Sequence, residues 1–188
     1  SIPVLDAHAT RFDGTLPSPG AHVDAAAPIA RRNQEAAILY TSGTTGRPKG
    51  CVLTNDYFLR VGAVYAGWGG LLALREGAER LLNPLPLFHM NHLATTTTAI
   101  IARRGCNIML PRFSASTRWA DCRDSGATLI HYLGVMPAIL LNRPQEPGES
   151  AHTIRAGVGA GVDPEHHVLF EERFAFPLLE LWGMTEVG

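Results

Sequence analysis

The sequence predicts an α/β protein in which a mainly parallel sheet carries helices on both faces. Three observations carry that expectation. From residue 36 to residue 181, short apolar and β-branched runs alternate with longer helical patterns, the order that builds parallel sheets. Gly105 and Gly126 each stand directly before such a run, where a helix needs a terminating residue and the connection to the next strand is short. The final run, 176–181, delivers Trp182 to Glu186 at the carboxyl end of a strand, the side on which open α/β sheets hold ligands.

Taken in order, residues 1–34 are rich in Pro, Gly and Ala without periodicity and read as a connector lying on a surface. Residues 35–188 read as one α/β core. A strand at 36–41 enters a glycine- and threonine-rich loop, and 51–53 leave it extended. Thr54 or Asn55 then caps a helix reaching about residue 72. Further strands are expected at 80–83, 107–110, 127–132 and 153–158, with helices at 89–103 and after Ser114. Residues 143–150, holding Pro144, Pro147 and Gly148, read as an exposed loop. Pro164 suits the first position of a helix ending near Phe174.

Composition narrows the function classes. A chain of 188 residues can bury a real core. With 46% hydrophobic and 18% charged residues it is a folding sequence, and a net charge of −1 supplies no field for nucleic acid or an anionic membrane. No apolar run reaches the length of a membrane span, and Asp6, His8 and Arg11 interrupt any signal-peptide pattern at the start. Cys51, Cys106 and Cys122 are odd in number and widely spaced, which argues against a disulfide framework or zinc knuckle and fits a reducing cytoplasm.

The chemistry concentrates in residues 40–50, Tyr-Thr-Ser-Gly-Thr-Thr-Gly-Arg-Pro-Lys-Gly. Gly43 and Gly46 let backbone amides approach an anion, Thr41, Ser42, Thr44 and Thr45 offer hydroxyl donors, and Lys49 adds a compact cation. Such a loop suits a polyphosphate. It is not a Walker loop, because Pro48 removes an amide before the lysine and Gly50 stands where a metal-binding hydroxyl is needed. A metal ligand must come from elsewhere, and Glu186 is the candidate.

This loop, Pro86-Leu87-Phe88-His89, Gly159-Ala160-Gly161 with Pro164-Glu165, and Trp182-Gly183-Met184-Thr185-Glu186 resemble, in order and spacing, the adenylate-forming acyl-CoA synthetase superfamily. The stretch through Tyr57, Trp68 and Arg112-Phe113-Ser114 looks most like the carnitine and crotonobetaine CoA ligase group. The resemblance implies part of a large N-terminal domain, with the small mobile C-terminal domain lying outside the chain. It implies an enzyme that activates a carboxylic acid with ATP and Mg²⁺ as an acyl adenylate and passes it to CoA. Lys49, His89, Thr185 and Glu186 would be catalytic, with Glu186 on the metal. Gly159, Ala160, Gly161, Trp182, Gly183 and Met184 would enclose adenine, Trp182 replacing the usual tyrosine. His89, Asn91, His92, Tyr132, Gly134, Val135 and Met136 would contact the acid. A carrier-protein acceptor, an inactive nucleotide-binding fragment and a phosphate-loop NTPase stay open as alternatives.

Overall fold

The computed structural model describes residues 31–42 and 47–188, and the fold is that of the unit Arg32–Gly188. Most of the connector expected over 1–34 therefore lies outside the described residues. Strands β1 (Glu35–Thr41) and β2 (Lys49–Thr54) form an antiparallel hairpin with Thr41 opposite Lys49. Helix α1 (Asn55–Gly67) follows without a gap, because the Thr54 hydroxyl accepts from the Tyr57 amide at 3.3 Å and caps its first turn.

The main sheet contains β3 (Arg80–Asn83), β4 (Cys106–Met109), β5 (Leu129–His131), β6 (Ala156–Gly159) and β7 (Leu178–Glu180). All its pairings are parallel, in the order β4-β3-β5-β6-β7. The chain steps from β3 outward to β4, then crosses to β5 and proceeds to β7. The order reverses between β3 and β5, and the crevice at their carboxyl ends is where such sheets bind ligands.

Alternation along the strands sorts the core onto two faces. Leu81, Leu129, Ala156 and Val158 pack with Tyr65 of α1 and with Ala99 and Ile100 of α2 (Thr97–Ala102). Leu82, Ile130 and Leu178 pack on the other face against α3 (Arg118–Ser125), α4 (Val135–Leu141) and α5 (Pro164–Phe174). Trp119 and Phe174 meet there with ring centroids 4.4 Å apart. Helices on both faces of a parallel sheet are what the alternating sequence predicts.

Several local expectations change. Helix α1 stops at Gly67 rather than near residue 72: Gly70 takes a left-handed φ of 61°, and the Arg103 guanidinium holds the Ala66 carbonyl at 2.6 and 3.0 Å. The helix expected over 89–103 begins as a π-helical segment, Asn91–Thr96, whose wider turns lead into α2. Helix α4 was not expected; Pro137 is tolerated in its first turn, where an amide would have no intrahelical partner. Gly126 does end α3 in the left-handed conformation. Before β4, however, Arg104 takes that conformation (φ 53°), and Gly105 is needed for space, since a Cβ there would lie 2.8 Å from the Glu79 carbonyl.

Glu79 locks the amino end of the sheet. It is 1% exposed and accepts from the Arg155 guanidinium (2.8 Å), the Arg75 amide (2.8 Å) and the Thr128 hydroxyl (2.6 Å). Burial alone would raise its carboxyl; the bonds from Arg155, Arg75 and Thr128 outweigh that and hold its pKa at about 2. Glu149, in the 143–150 loop expected to be exposed, is likewise buried and paired with Arg173 at 2.7 Å.

Candidate active site

Pairing of β1 with β2 brings Thr41 and Lys49 together where residues 43–46 connect the strands. Gly43, Thr44, Thr45 and Gly46 lie outside the described residues. Lys49 and Ser42 are exposed. The Thr41 hydroxyl donates to Glu186 Oε1 at 3.4 Å, joining segments 145 positions apart. Glu186 also acts on Tyr57 in the first turn of α1, whose phenol pKa is raised by burial first and then by Cys51 and Glu186. Hairpin, helix start and the Glu186 turn thus share one locality.

The carboxyl end of the main sheet supplies the second part. Gly159 lies flat on Tyr132: a Cβ there would fall 2.4 Å from the Tyr132 carbonyl oxygen and 2.5 Å from its ring. The next glycine, Gly161, turns the chain with a left-handed φ of 78°. The Val162 amide then donates to the Glu180 carboxylate at 2.7 Å, and the Leu181 amide to the Gly159 carbonyl at 2.7 Å. Beyond Leu181 the indole of Trp182 is 78% exposed. A cavity of about 390 Å³ lies between α1 and these strand ends, with Val61 and Tyr65 on the helix side and Tyr132, Gly159 and Trp182 on the sheet side.

Compared with known families, residues 2–188 match the model described as AMP-binding enzyme. The chain belongs to that family. Among AMP-binding relatives, the sulfoacetate–CoA ligase of Cupriavidus necator is 36% identical over 180 residues, which are 93% of this chain and 34% of that enzyme. The crotonobetaine/carnitine–CoA ligase of Citrobacter koseri is 33% identical over 161 residues, covering 85% of this chain and 30% of that enzyme. ATP-bound MatB from Rhodopseudomonas palustris superposes with a TM-score of 0.68 at 27% identity, over 83% of this chain and 30% of that chain. The chain therefore spans between about a fifth and a third of the length of the curated relatives it matches.

Within the AMP-binding fold, the residues expected from sequence divide into two groups. Thr41, Lys49 and Glu186 are brought together at the hairpin, while Gly159, Ala160, Trp182, Gly183, Tyr132 and Asn91 gather around the cavity. Met184 and Thr185 lie in the turn that the Val187 amide closes onto the Met184 carbonyl at 3.2 Å. His89 is exposed, its ring 4.6 Å from that of Phe88, and it is not part of the cavity wall. Gly161 also stands outside that wall, at the turn.

Besides His89, four expected acid contacts lie outside the cavity wall. His92 is fully buried, bonded through Nδ1 to the Leu85 carbonyl and through Nε2 to Asn107, so it braces the core. Met136 is packed in the α3–α5 core, and Val135 points outward at 60% exposure. Gly134 is not part of the cavity wall, and on its Cβ side it is packed against Gly161, whose carbonyl oxygen is 1.7 Å from where a Cβ would stand. Sequence reasoning missed the helical wall of the cavity instead. Val61, Val64, Tyr65 and Trp68 follow the spacing of one helix face. That signal is visible in the sequence, but apolar residues at helical spacing ordinarily mean core.

Proposed function

We propose that the whole protein is an ATP-dependent, AMP-forming acyl-CoA ligase. One observation supports this above others: Thr41 and Glu186 meet at 3.4 Å beside Lys49, next to a cavity at the carboxyl end of the sheet. A polyphosphate site and an acid-sized pocket are then neighbours, as joining a carboxylate to the α-phosphorus of ATP requires. Family membership and relatives named as CoA ligases favour the same reaction with CoA as acceptor.

In this reading a substrate carboxylate oxygen attacks the α-phosphorus, the bond to pyrophosphate breaks, and a mixed anhydride with AMP forms. Lys49 and the amides and hydroxyls of the hairpin loop neutralise charge on the departing phosphate oxygens. Trp182, exposed beside Gly159 and Ala160, offers an indole face to adenine. The CoA thiolate then attacks the acyl carbon, AMP leaves, and a thioester results. The donor set fits Mg²⁺, since Glu186 presents an exposed hard-oxygen carboxylate steadied by Thr41. Glu186 would hold that ion, which would supply Lewis-acid neutralisation of phosphate charge.

No helix among the described residues is long and apolar enough to cross a membrane. All three cysteines are free, which supports a reducing, cytoplasmic setting, and the near-zero net charge argues against a nucleic-acid partner. The test is acid-dependent pyrophosphate release and thioester formation by the full-length protein. Release of phosphate instead would identify a nucleotide hydrolase, and thioester formation independent of CoA would redirect the acyl group to another acceptor.

A further inference from the structure

The wall contributed by α1 bears on which acid the cavity takes. Val61, Val64, Tyr65 and Trp68 stand at i, i+3, i+4 and i+7, and at 1.5 Å per residue this stripe is about 10 Å long. Leu133 and Leu181 line the same cavity from the sheet side.

Three of its polar side-chain atoms are already hydrogen-bonded within the protein. The Tyr65 hydroxyl is hydrogen-bonded to His131 Nε2 at 2.9 Å, and the Tyr132 hydroxyl donates to the Leu179 carbonyl at 3.2 Å. The Asn91 side-chain oxygen accepts from Asn83 at 3.3 Å. Among the described lining residues only Arg60 is charged. Its side chain is 75% exposed, is paired with Asp56 and sits at the opposite end of the stripe from Trp68. A charged tail drawn along the stripe would lose its hydration without meeting a counter-ion, which is costly, whereas each methylene gains. Trp68 packs on Tyr65 at 4.6 Å between ring centroids and stands at the end of the helix, where it can limit the length of what lies along it.

Resting on the ligase reading above, we propose that the substrate is a monocarboxylic acid with an uncharged, apolar tail, laid along the Val61–Trp68 face of α1 and limited in length by Trp68. The experiment uses the full-length protein and measures acid-dependent pyrophosphate release for a series of straight-chain acids, a sulfonated acid and a quaternary-ammonium acid. The expected kcat/KM rises about fourfold per methylene up to the limiting length, and charged-tail acids fall at least about tenfold below apolar acids of equal size. Trp68→Ala moves the optimum to longer acids; Trp68→Leu, which keeps more of the packing, moves it the same way by less. Preference for a charged-tail acid, or an optimum unmoved by both substitutions in folded protein, overturns the proposal and leaves the ligase reading intact. Calorimetric binding of straight-chain acids reads the cavity separately. Apolar acids that bind without supporting any pyrophosphate release would support the tail assignment and overturn the ligase reading.

Discussion

The two ends of the main sheet treat polar groups in opposite ways. At the amino end, Glu79 is buried and three donors, Arg75, Arg155 and Thr128, converge on its one carboxylate. At the carboxyl end, Glu186 and Lys49 are exposed, Glu186 accepts one long bond among the described residues, from Thr41, and Trp182 offers most of its indole to solvent. Groups satisfied inside the protein hold strands together. Groups left open have their bonding capacity in reserve for something that arrives. The same residue type therefore stabilises at one end and is available for binding at the other.

The contrast can be broken by substitution. The largest effect is expected from Glu79→Ala, which removes the buried carboxylate shared by Arg155, Arg75 and Thr128 and should cost about 3–5 kcal/mol in urea unfolding, as for other broken buried ion pairs. Glu186→Ala should stay within about 0.5 kcal/mol in the same assay. Equal costs for both would dissolve the distinction.

Acid should reveal the amino-end lock without mutation. Glu79 has a folded pKa of about 2 against an ordinary 4.5, so the unfolded chain binds its proton first as pH falls. Its contribution is complete above pH 4.5 and is lost between there and about 2, amounting to roughly 3 kcal/mol. His131 acts earlier. Burial, with His92 and Arg118 adding, pushes its imidazole from 6.5 down to about 3, so unfolding gains a proton as pH drops below 6.5. A stability profile that stays flat from pH 6.5 to 4.5 would contradict the buried neutral histidine.

At the open end, Lys49→Ala should lower the rate of pyrophosphate release by about 10²-fold, the scale for removing one preorganised charge-stabilising donor, while leaving the urea midpoint unchanged. Trp182→Ala should be smaller. Loss of a stacking face is worth about 1 kcal/mol, which appears as a roughly fivefold rise in the KM for ATP, and Trp182→Tyr should restore it. A lost urea midpoint in either alanine variant would move that residue into the structural class.

Much of the fold was legible because local and tertiary signals agree. The strand at Arg80–Asn83 and the helix Pro164–Phe174 appear where the sequence puts them, the latter because Asp163 caps the Glu165 amide at 2.9 Å and Pro164 occupies the first turn. What the sequence hides depends on distant partners. His92 is a core brace only because Leu85 and Asn107 come to it, and Met136 belongs to α4, a helix whose apolar run and Pro137 resemble pocket lining when read alone. For the candidate site, the hairpin residue types point to a polyphosphate because few loops combine that many small residues, hydroxyls and a lysine, and Trp182 draws its meaning from standing just before Gly183 and Glu186. Val61 and Val64 were not, since valine on a helix face carries no chemical label until the cavity beside it is seen.

Gly134 and Gly161 touch backbone to backbone, with no space for a methyl group at 134. The turns that follow β5 and β6 are thereby packed directly on each other, next to Tyr132 and Ala160 of the cavity wall. On the ligase proposal, variation in the accepted acid would fall to Val61, Val64 and Trp68, whose side chains line the cavity, whereas Gly62 between them is closed off by Thr98, 2.1 Å from where a Cβ would stand.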